Sequence, residues 1–302
     1  MRTRGSAGVV SIGILISVLL GLAQALNAEG NKSQAVPDKA PTVVKGKLTA
    51  AAKARANAAK LTMPLDLTFK LPPGKGLVYE GAFYQDGDGP VGKMRVKATV
   101  HLLPQPAQDW PVTLAGDFKA TEAFVEVWSP EGKSMVKATD EDLGGVVEMP
   151  SMAMDKTGRV AASYNPGDGP LGFLSDLWSL PLKPLDVGDT FVEDVAAEGE
   201  DSMPFKGTRT IKLVGTRNVN GAPCAVYAIK SNLELRDSEE MGAKTVLKML
   251  ITSEVVFDTT SGWPLEAKQQ VKISGKVDTG EDDMQPFNWK MSFAVKRVEA
   301  RN

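Results

Sequence analysis

The chain of 302 residues contains one cysteine, Cys224, and one histidine, His101. One cysteine excludes an intramolecular disulfide and any metal site built on several thiolates. One histidine excludes sites with two imidazole ligands, which removes most catalytic zinc designs. The core alone must therefore hold the fold. We expect Cys224 to be a small, partly buried hydrophobe and His101 to lie on the polar face of a strand.

Motifs for nucleophilic and nucleotide chemistry are also missing. No Gly-x-Ser-x-Gly nucleophile elbow follows the N-terminal leader, and no glycine-rich phosphate loop precedes a helical pattern. Acidic residues cluster in several predicted loops, but nothing selects a carboxylate pair for hydrolysis. We therefore expect no enzymatic activity and no cofactor, with a carboxylate-based hydrolase as the alternative.

Calcium is the metal that the acidic loops are best suited to bind, because it takes six to eight oxygen ligands. Asp86 and Asp88, each followed by glycine, are the candidate ligands. The sequence around them lacks the third ligand and the distal glutamate of an EF-hand loop. Solvated loop charge is the alternative, so no metal site is predicted.

The longest hydrophobic run lies at the N-terminus. Arg2 and Arg4 precede an apolar run at residues 9–22, and an Ala-Gln-Ala motif ends at Ala25. This is the pattern of a secretory signal peptide, with cleavage predicted after Ala25 and, as the alternative, after Ala28. An uncleaved anchor is less compatible with the run, which is shorter than the about 20 residues a helix needs to span a membrane. We expect export to the periplasm or the extracellular space, and no membrane-spanning segment in the mature chain.

Charge is distributed unevenly along the chain. Residues 29–60, rich in Ala, Lys and Pro, carry seven basic and two acidic side chains, whereas residues 61–302 carry a net charge of −9. An acidic body repels phosphate backbones, so no nucleic-acid partner is expected. The basic arm 29–60 is predicted to be a flexible, partly helical tether. Contact between this arm and an anionic envelope surface is the alternative.

The remainder of the chain alternates between apolar and polar residues. The pattern recurs at residues 93–102, 247–257, 265–273 and 287–296. Period-two alternation predicts antiparallel strands with one apolar and one solvated face. The predicted fold class is all-β, an antiparallel meander forming a curved sheet or half-barrel, with one short helix near residues 171–178.

Turn sequences suggest two related β halves. The Asp-x-x-Gly turn that begins at Asp155 matches the turn that begins at Asp258, and loop 84–92 resembles loop 164–172. The halves either share one curved sheet or pack as two sheets; chance similarity of glycine-rich turns is the alternative. The predicted segments are a signal peptide (1–25), a linker (26–60), an N-terminal β half (61–182) and a C-terminal β half (183–302).

A longer stretch carries a family resemblance. Residues 180–191 (LPLKPLDVGDTF) are followed by an Asn-Gly-x-x-Cys hairpin at 220–224 and a Phe-Asp-x-x-x-Gly hairpin at 257–262. Over residues 180–300 this layout resembles an uncharacterised family of bacterial secreted β-rich domains. The resemblance implies an exported β-rich fold and supplies no catalytic residues. The architecture is also similar, by fold alone, to the half-barrel lipoprotein carriers of the bacterial envelope.

A curved sheet with one apolar face can hold an apolar ligand when its own side chains do not fill it. We therefore predict a non-catalytic envelope module that binds or carries an apolar small molecule or lipid. Simple core packing of the same residues is one alternative, and a structural or assembly role in the cell envelope is another. The predicted binding residues are Met94, Val96, Val100, Leu247, Met249, Ile251, Trp289, Met291 and Phe293.

Overall fold

A computed structural model describes residues 63–70, 76–87, 92–104, 110–129, 132–139, 143, 146–159, 179–196, 205–236, 246–278 and 284–298. Strands dominate this part of the chain. They are β1 (Leu77–Gly87), β2 (Met94–Pro104), β3 (Val112–Ser129), β4 (Gly132–Lys137), β5 (Val147–Met154), β6 (Thr190–Ala196), β7 (Phe205–Val219), β8 (Ala222–Arg236), β9 (Val246–Asp258), β10 (Pro264–Asp278) and β11 (Met284–Val298).

All of these strands belong to one curved antiparallel sheet, in the order β4-β3-β2-β1-β11-β10-β9-β8-β7-β6, with β5 also paired to β3. The pairing of β1 with β11, which sets Phe83 opposite Phe293, joins the early strands to the late ones. The predicted all-β class and curved sheet are confirmed. The helix predicted near 171–178 lies outside the described residues, and the division into related halves stays a prediction.

Alternation gives the sheet two different faces. Buried side chains occupy the inner face, which carries odd-numbered residues on β1 and on β6–β11 and even-numbered residues on β2. The outer face is charged, with exposed lysines such as Lys97, Lys268 and Lys296. The main core lies on the inner face and contains Tyr79, Leu102 and many other buried apolar residues. None of the described segments forms a helix with the length and hydropathy needed to cross a membrane.

Residues 65–70, which we call the strap, tie distant parts of the sheet together. Leu65 exchanges two backbone hydrogen bonds with Leu185, in the segment before β6. The backbone N–H of Phe69 donates to Lys156 O (2.9 Å), and that of Lys70 donates to Ser261 O (2.9 Å). The strap thus bridges the turn after β5, the approach to β6 and the β9–β10 turn.

The turns that begin at Asp155 and Asp258 share their hydrogen bonding. Asp155 Oδ1 accepts a hydrogen bond from Thr157 N (2.7 Å), and Asp258 Oδ1 accepts one from Thr260 N (2.8 Å). Each turn ends in a glycine with positive φ, 82° in the first and 75° in the second. Because adjacent strap residues bond to the two turns, both serve as docking points for the same segment.

A polar network connects the turn after β5 to β6 and β7. Arg159 Nη2 donates to Glu193 Oε2, and Arg159 Nη1 donates to Leu180 O (3.0 Å). Arg209 Nη1 donates to Glu193 Oε1 (3.3 Å) and to Ser179 Oγ (3.0 Å). The Glu193 side chain is only 13% exposed. We call Arg159, Glu193 and Arg209 the closure network, because they link segments at opposite ends of the sheet order.

Candidate binding face of the sheet

The nine predicted binding residues lie on β2, β9 and β11, and all nine share the inner face. Met94 is opposite Gln85, which is opposite Met291. Along β10, Val271 is opposite both Met291 and Ile251, which extends the same row. Eight of the nine side chains are buried and Met249 is partly buried. The predicted alternation is therefore confirmed, whereas the role in ligand binding stays a prediction.

The nine residues divide between two apolar clusters. Met94, Val96 and Val100 belong to the main core. The others contribute to a second cluster, built from late strands. This second cluster consists of Leu233, Leu247, Ile251, Val271, Ile273, Trp289, Met291 and Phe293, with Met249 and Phe287 packed against it.

Phe83 joins the two clusters and was missed by the sequence-based prediction. Its ring centroid lies 5.2 Å from that of Phe293 and 5.8 Å from that of Phe118, both edge to face. Position 83 shares the odd-numbered alternation of Tyr79 on β1. That alternation was the available signal, although glycine at position 81 interrupts the apolar pattern.

Buried polar residues interrupt the inner face, and the prediction missed them as well. They are Gln85, Arg209, Ser231, Ser253 and Gln269. Each is a single polar residue among the apolar residues of one strand face. In the sequence such a residue only interrupts the alternation, and nothing indicates that it belongs to a site. Together they make the inner face amphipathic.

Two of these polar side chains lack hydrogen bonds. Among the described residues, neither Ser231 Oγ nor Ser253 Oγ has a hydrogen-bond partner. The hydroxyl of Tyr227, on the same strand as Ser231, also lacks one. Ser231 is fully buried and Ser253 is 7% exposed. A buried hydroxyl without a hydrogen bond destabilises a fold by about 1–3 kcal/mol.

The two serines lie between charged and apolar surroundings. Ser231 is opposite Arg209 of the closure network on one side and Ile251 of the second cluster on the other. Ser253 is opposite Gln269. Around Ser231 the inner face therefore combines a charged neighbour on β7 with apolar side chains of the second cluster.

The apolar part of this face is closely packed. A cavity beside Gln85, lined by Phe83, Met94 and Phe293, has a volume of about 20 Å³, which is close to the space of one water molecule. A larger depression of about 610 Å³ has charged side chains of the outer face in its lining, including Glu80 and Lys268. A ligand that enters the face beside Gln85 must therefore displace packed side chains.

Only one of the two candidate metal ligands lies in the described part of the chain. Asp86 lies on β1 opposite Lys290, and Asp88 is outside the described residues, as are Ala25 and the arm 29–60. Within the portion of the chain that the structure describes, no three side chains of the His, Cys, Asp or Glu type are grouped to hold a metal ion. His101 is partly exposed, with Nδ1 2.9 Å from Asp117 Oδ1, as expected for a surface position.

Cys224 lies at the start of β8 and is fully buried, where partial burial was predicted. Its thiol donates to Ala222 O (3.2 Å). Burial, and secondly the charge of Asp258, raise the pKa of the Cys224 thiol above its usual value. Arg217 lies opposite Cys224, but its guanidinium donates to Glu266 Oε2 at 2.6 Å. The thiol is therefore not activated as a nucleophile.

Neither a family model nor a curated protein matches this sequence. The resemblance to secreted β-rich domains therefore stays a prediction. The chemistry of the inner face, with its aromatic and methionine side chains and its buried hydroxyls, is the basis for assigning a function.

Proposed function

We propose that the protein is a non-catalytic, exported module that binds and carries an apolar or amphiphilic small molecule on the inner face of its sheet. The observation that carries the proposal is the second cluster. Trp289, Met291 and Phe293 lie there beside Ile251 and Val271 on a face that also buries polar groups. A surface of large apolar side chains with a few polar groups is the usual lining of a small-molecule site.

Methionine side chains make rearrangement of this face feasible. Met291 and Met249 belong to or pack against the second cluster, and Met94 lines the small cavity. Methionine is unbranched and fills irregular spaces, so it repacks around a ligand more easily than a branched residue does. A closed face without ligand is therefore compatible with a face that opens around an alkyl chain.

Mass spectrometry of an organic extract of the purified mature chain tests the proposal. We expect a lipid or other apolar compound in near-equal molar amount to the protein. Met291→Gln, on the inner face, should reduce the bound amount because it places an amide in the apolar site. Lys290→Gln, the adjacent residue on the outer face, is the matched control and should retain the compound.

An empty extract would not by itself exclude a ligand lost in purification. The ligand-free protein is therefore also mixed with a pyrene-labelled fatty acid, and its fluorescence is titrated. No compound in the extract, together with no saturable binding of the probe, contradicts the proposal.

A structural role in envelope assembly is the second candidate function, and strand β6 favours it. Within the described residues β6 pairs with β7 on one side only, and Val192 is 60% exposed on this edge strand. Leu182 and Val187, just before β6, are also exposed. In this role a second copy of the chain adds a strand to β6.

Sedimentation velocity tests this second candidate. If β6 is the interface, the protein sediments as a dimer, and Val192→Lys converts it to a monomer because a charge on the edge opposes strand pairing. Lys212→Ala, on the neighbouring strand β7, is the control and should leave the dimer intact. A monomer at every concentration removes this candidate.

A further inference from the structure

Two buried hydroxyls lie close together on the inner face. Ser231 on β8 is opposite Ile251 on β9. Ser253 lies two residues after Ile251 on β9, and its side chain is buried on the same face. Such diagonal neighbours are about 7–8 Å apart at the backbone and closer at the side chains. One small group between the two serines can therefore contact both hydroxyls.

The surroundings of the two serines indicate which chemistry that group has. Arg209, opposite Ser231, presents a guanidinium that donates to Ser179 Oγ and Glu193 Oε1. Leu233 and Ile251, both in the second cluster, flank Ser231 on the apolar side. Hydroxyl donors at the border of an apolar surface are complementary to an acceptor oxygen that is attached to an alkyl chain.

On the basis of the proposed function, we infer that the ligand is an acyl lipid whose carbonyl oxygen accepts hydrogen bonds from Ser231 and Ser253. Its alkyl chain lies along the second cluster toward Trp289. From β8 to β11 this path crosses three strand spacings, about 14 Å. Both a fatty acid and a fatty acyl ester carry the carbonyl oxygen that the two hydroxyls recognise.

Fluorescence titration with three pyrene-labelled probes of equal chain length tests this inference. The probes are a fatty acid, its methyl ester and the corresponding alkane. We expect the ester to bind about tenfold more tightly than the alkane, because two donors that are otherwise buried without partners are satisfied. The acid shares the carbonyl, and its Kd relative to the ester shows whether the natural head group is an acid or an ester.

The double variant Ser231→Ala, Ser253→Ala should bind the ester and the alkane with equal Kd. Its alkane affinity should match that of the unmodified protein, since the apolar surface is unchanged. The ligand-free double variant should be at least as resistant to urea, because it no longer buries two hydroxyls without hydrogen bonds. Ser274→Ala, an exposed serine on the outer face of β10, is the matched control and should change none of these values.

The outcomes separate this inference from the proposed function. If the ester and the alkane bind equally well to the unmodified protein, the inference is wrong and the proposed function survives. If the ester preference persists in the double alanine variant, the hydroxyls do not recognise the carbonyl and the inference is again wrong. If no probe binds, the inference fails, and if the organic extract is empty as well, the proposed function fails with it.

Discussion

At the scale of single residues, burial controls the chemistry of the only thiol. Cys224 is fully buried, and burial together with the charge of Asp258 raises its pKa. We predict that a disulfide exchange reagent leaves the native thiol unmodified and reacts with one equivalent per chain in denaturant. An added surface thiol in Ser274→Cys should react rapidly in the native protein. Rapid loss of both thiols of that variant contradicts the prediction.

Asp258 links the stability of one turn to pH. Burial raises the pKa of its carboxyl, but hydrogen bonds from Ser261 Oγ and Thr260 N, together with Arg297, outweigh burial and lower the pKa below its usual value. The ionised form therefore stabilises the folded state at neutral pH, and this contribution is lost as the pH falls through the lowered pKa.

Asp258→Asn should lower the free energy of unfolding by about 2 kcal/mol near neutral pH, since hydrogen bonds to a charged acceptor are lost. Its stability should also decline less than that of the unmodified protein as the pH falls from about 5 through the lowered pKa of Asp258. Urea unfolding at a series of pH values measures both effects. Asp194→Asn, at an exposed position on β6, is the control. Equal dependence of stability on pH in Asp258→Asn and in the unmodified protein would contradict the stabilising role of the ionised Asp258 carboxylate.

At the scale of structural elements, Gly262 sets how closely the strap approaches the sheet. Its φ is +75°, and a Cβ at this position would lie 2.1 Å from Thr68 O. Gly262→Ala should therefore lower the free energy of unfolding by more than about 2 kcal/mol, because the strap must move as well as the turn.

Gly221 provides the matched comparison for Gly262. Its φ is +85°, but a Cβ there would have no atom within 4 Å. Gly221→Ala should cost only about 1 kcal/mol, from the left-handed backbone alone. The difference between the two variants in urea unfolding reports the strap contact. Equal losses of stability would show that the strap does not pack tightly against this turn.

The closure network is the other element that depends on contacts distant in sequence. Glu193 is the carboxylate that both Arg159 and Arg209 share. Glu193→Gln leaves two largely buried guanidinium groups with a neutral partner, so we expect a loss of about 3–5 kcal/mol in unfolding free energy. Glu254→Gln, at an exposed position of β9, should change the stability by less than about 0.5 kcal/mol. A similar, small effect of both variants in urea unfolding would show that the network is not structural.

At the scale of the whole molecule, one sheet unites the early and late strands. β1 pairs with β11 along ten residue pairs, and the strap contacts both the turn after β5 and the β9–β10 turn. We therefore expect one cooperative unfolding transition, with the same midpoint by near-ultraviolet and far-ultraviolet circular dichroism. Two separate transitions would indicate that the halves 61–182 and 183–302 fold independently.

The sequence by itself determined the fold class, the faces of the strands and the turns. Alternation is a local property with a period of two residues, so it assigns Met94, Ile251 and Trp289 to one face without knowledge of their neighbours. The turns at Asp155 and Asp258 were recognisable for the same reason, since their hydrogen bonds span only a few residues.

The tertiary structure alone decided which of these local elements meet. The pairing of β1 with β11, the docking of the strap and the sharing of Glu193 by two arginines join residues far apart in the chain, and no local periodicity encodes them. Ser231 and Ser253 illustrate the same limit: the sequence shows two serines in strands, and only packing determines that their hydroxyls are buried without hydrogen bonds. A group of side chains that meets by non-local packing is visible only when the strands are assembled.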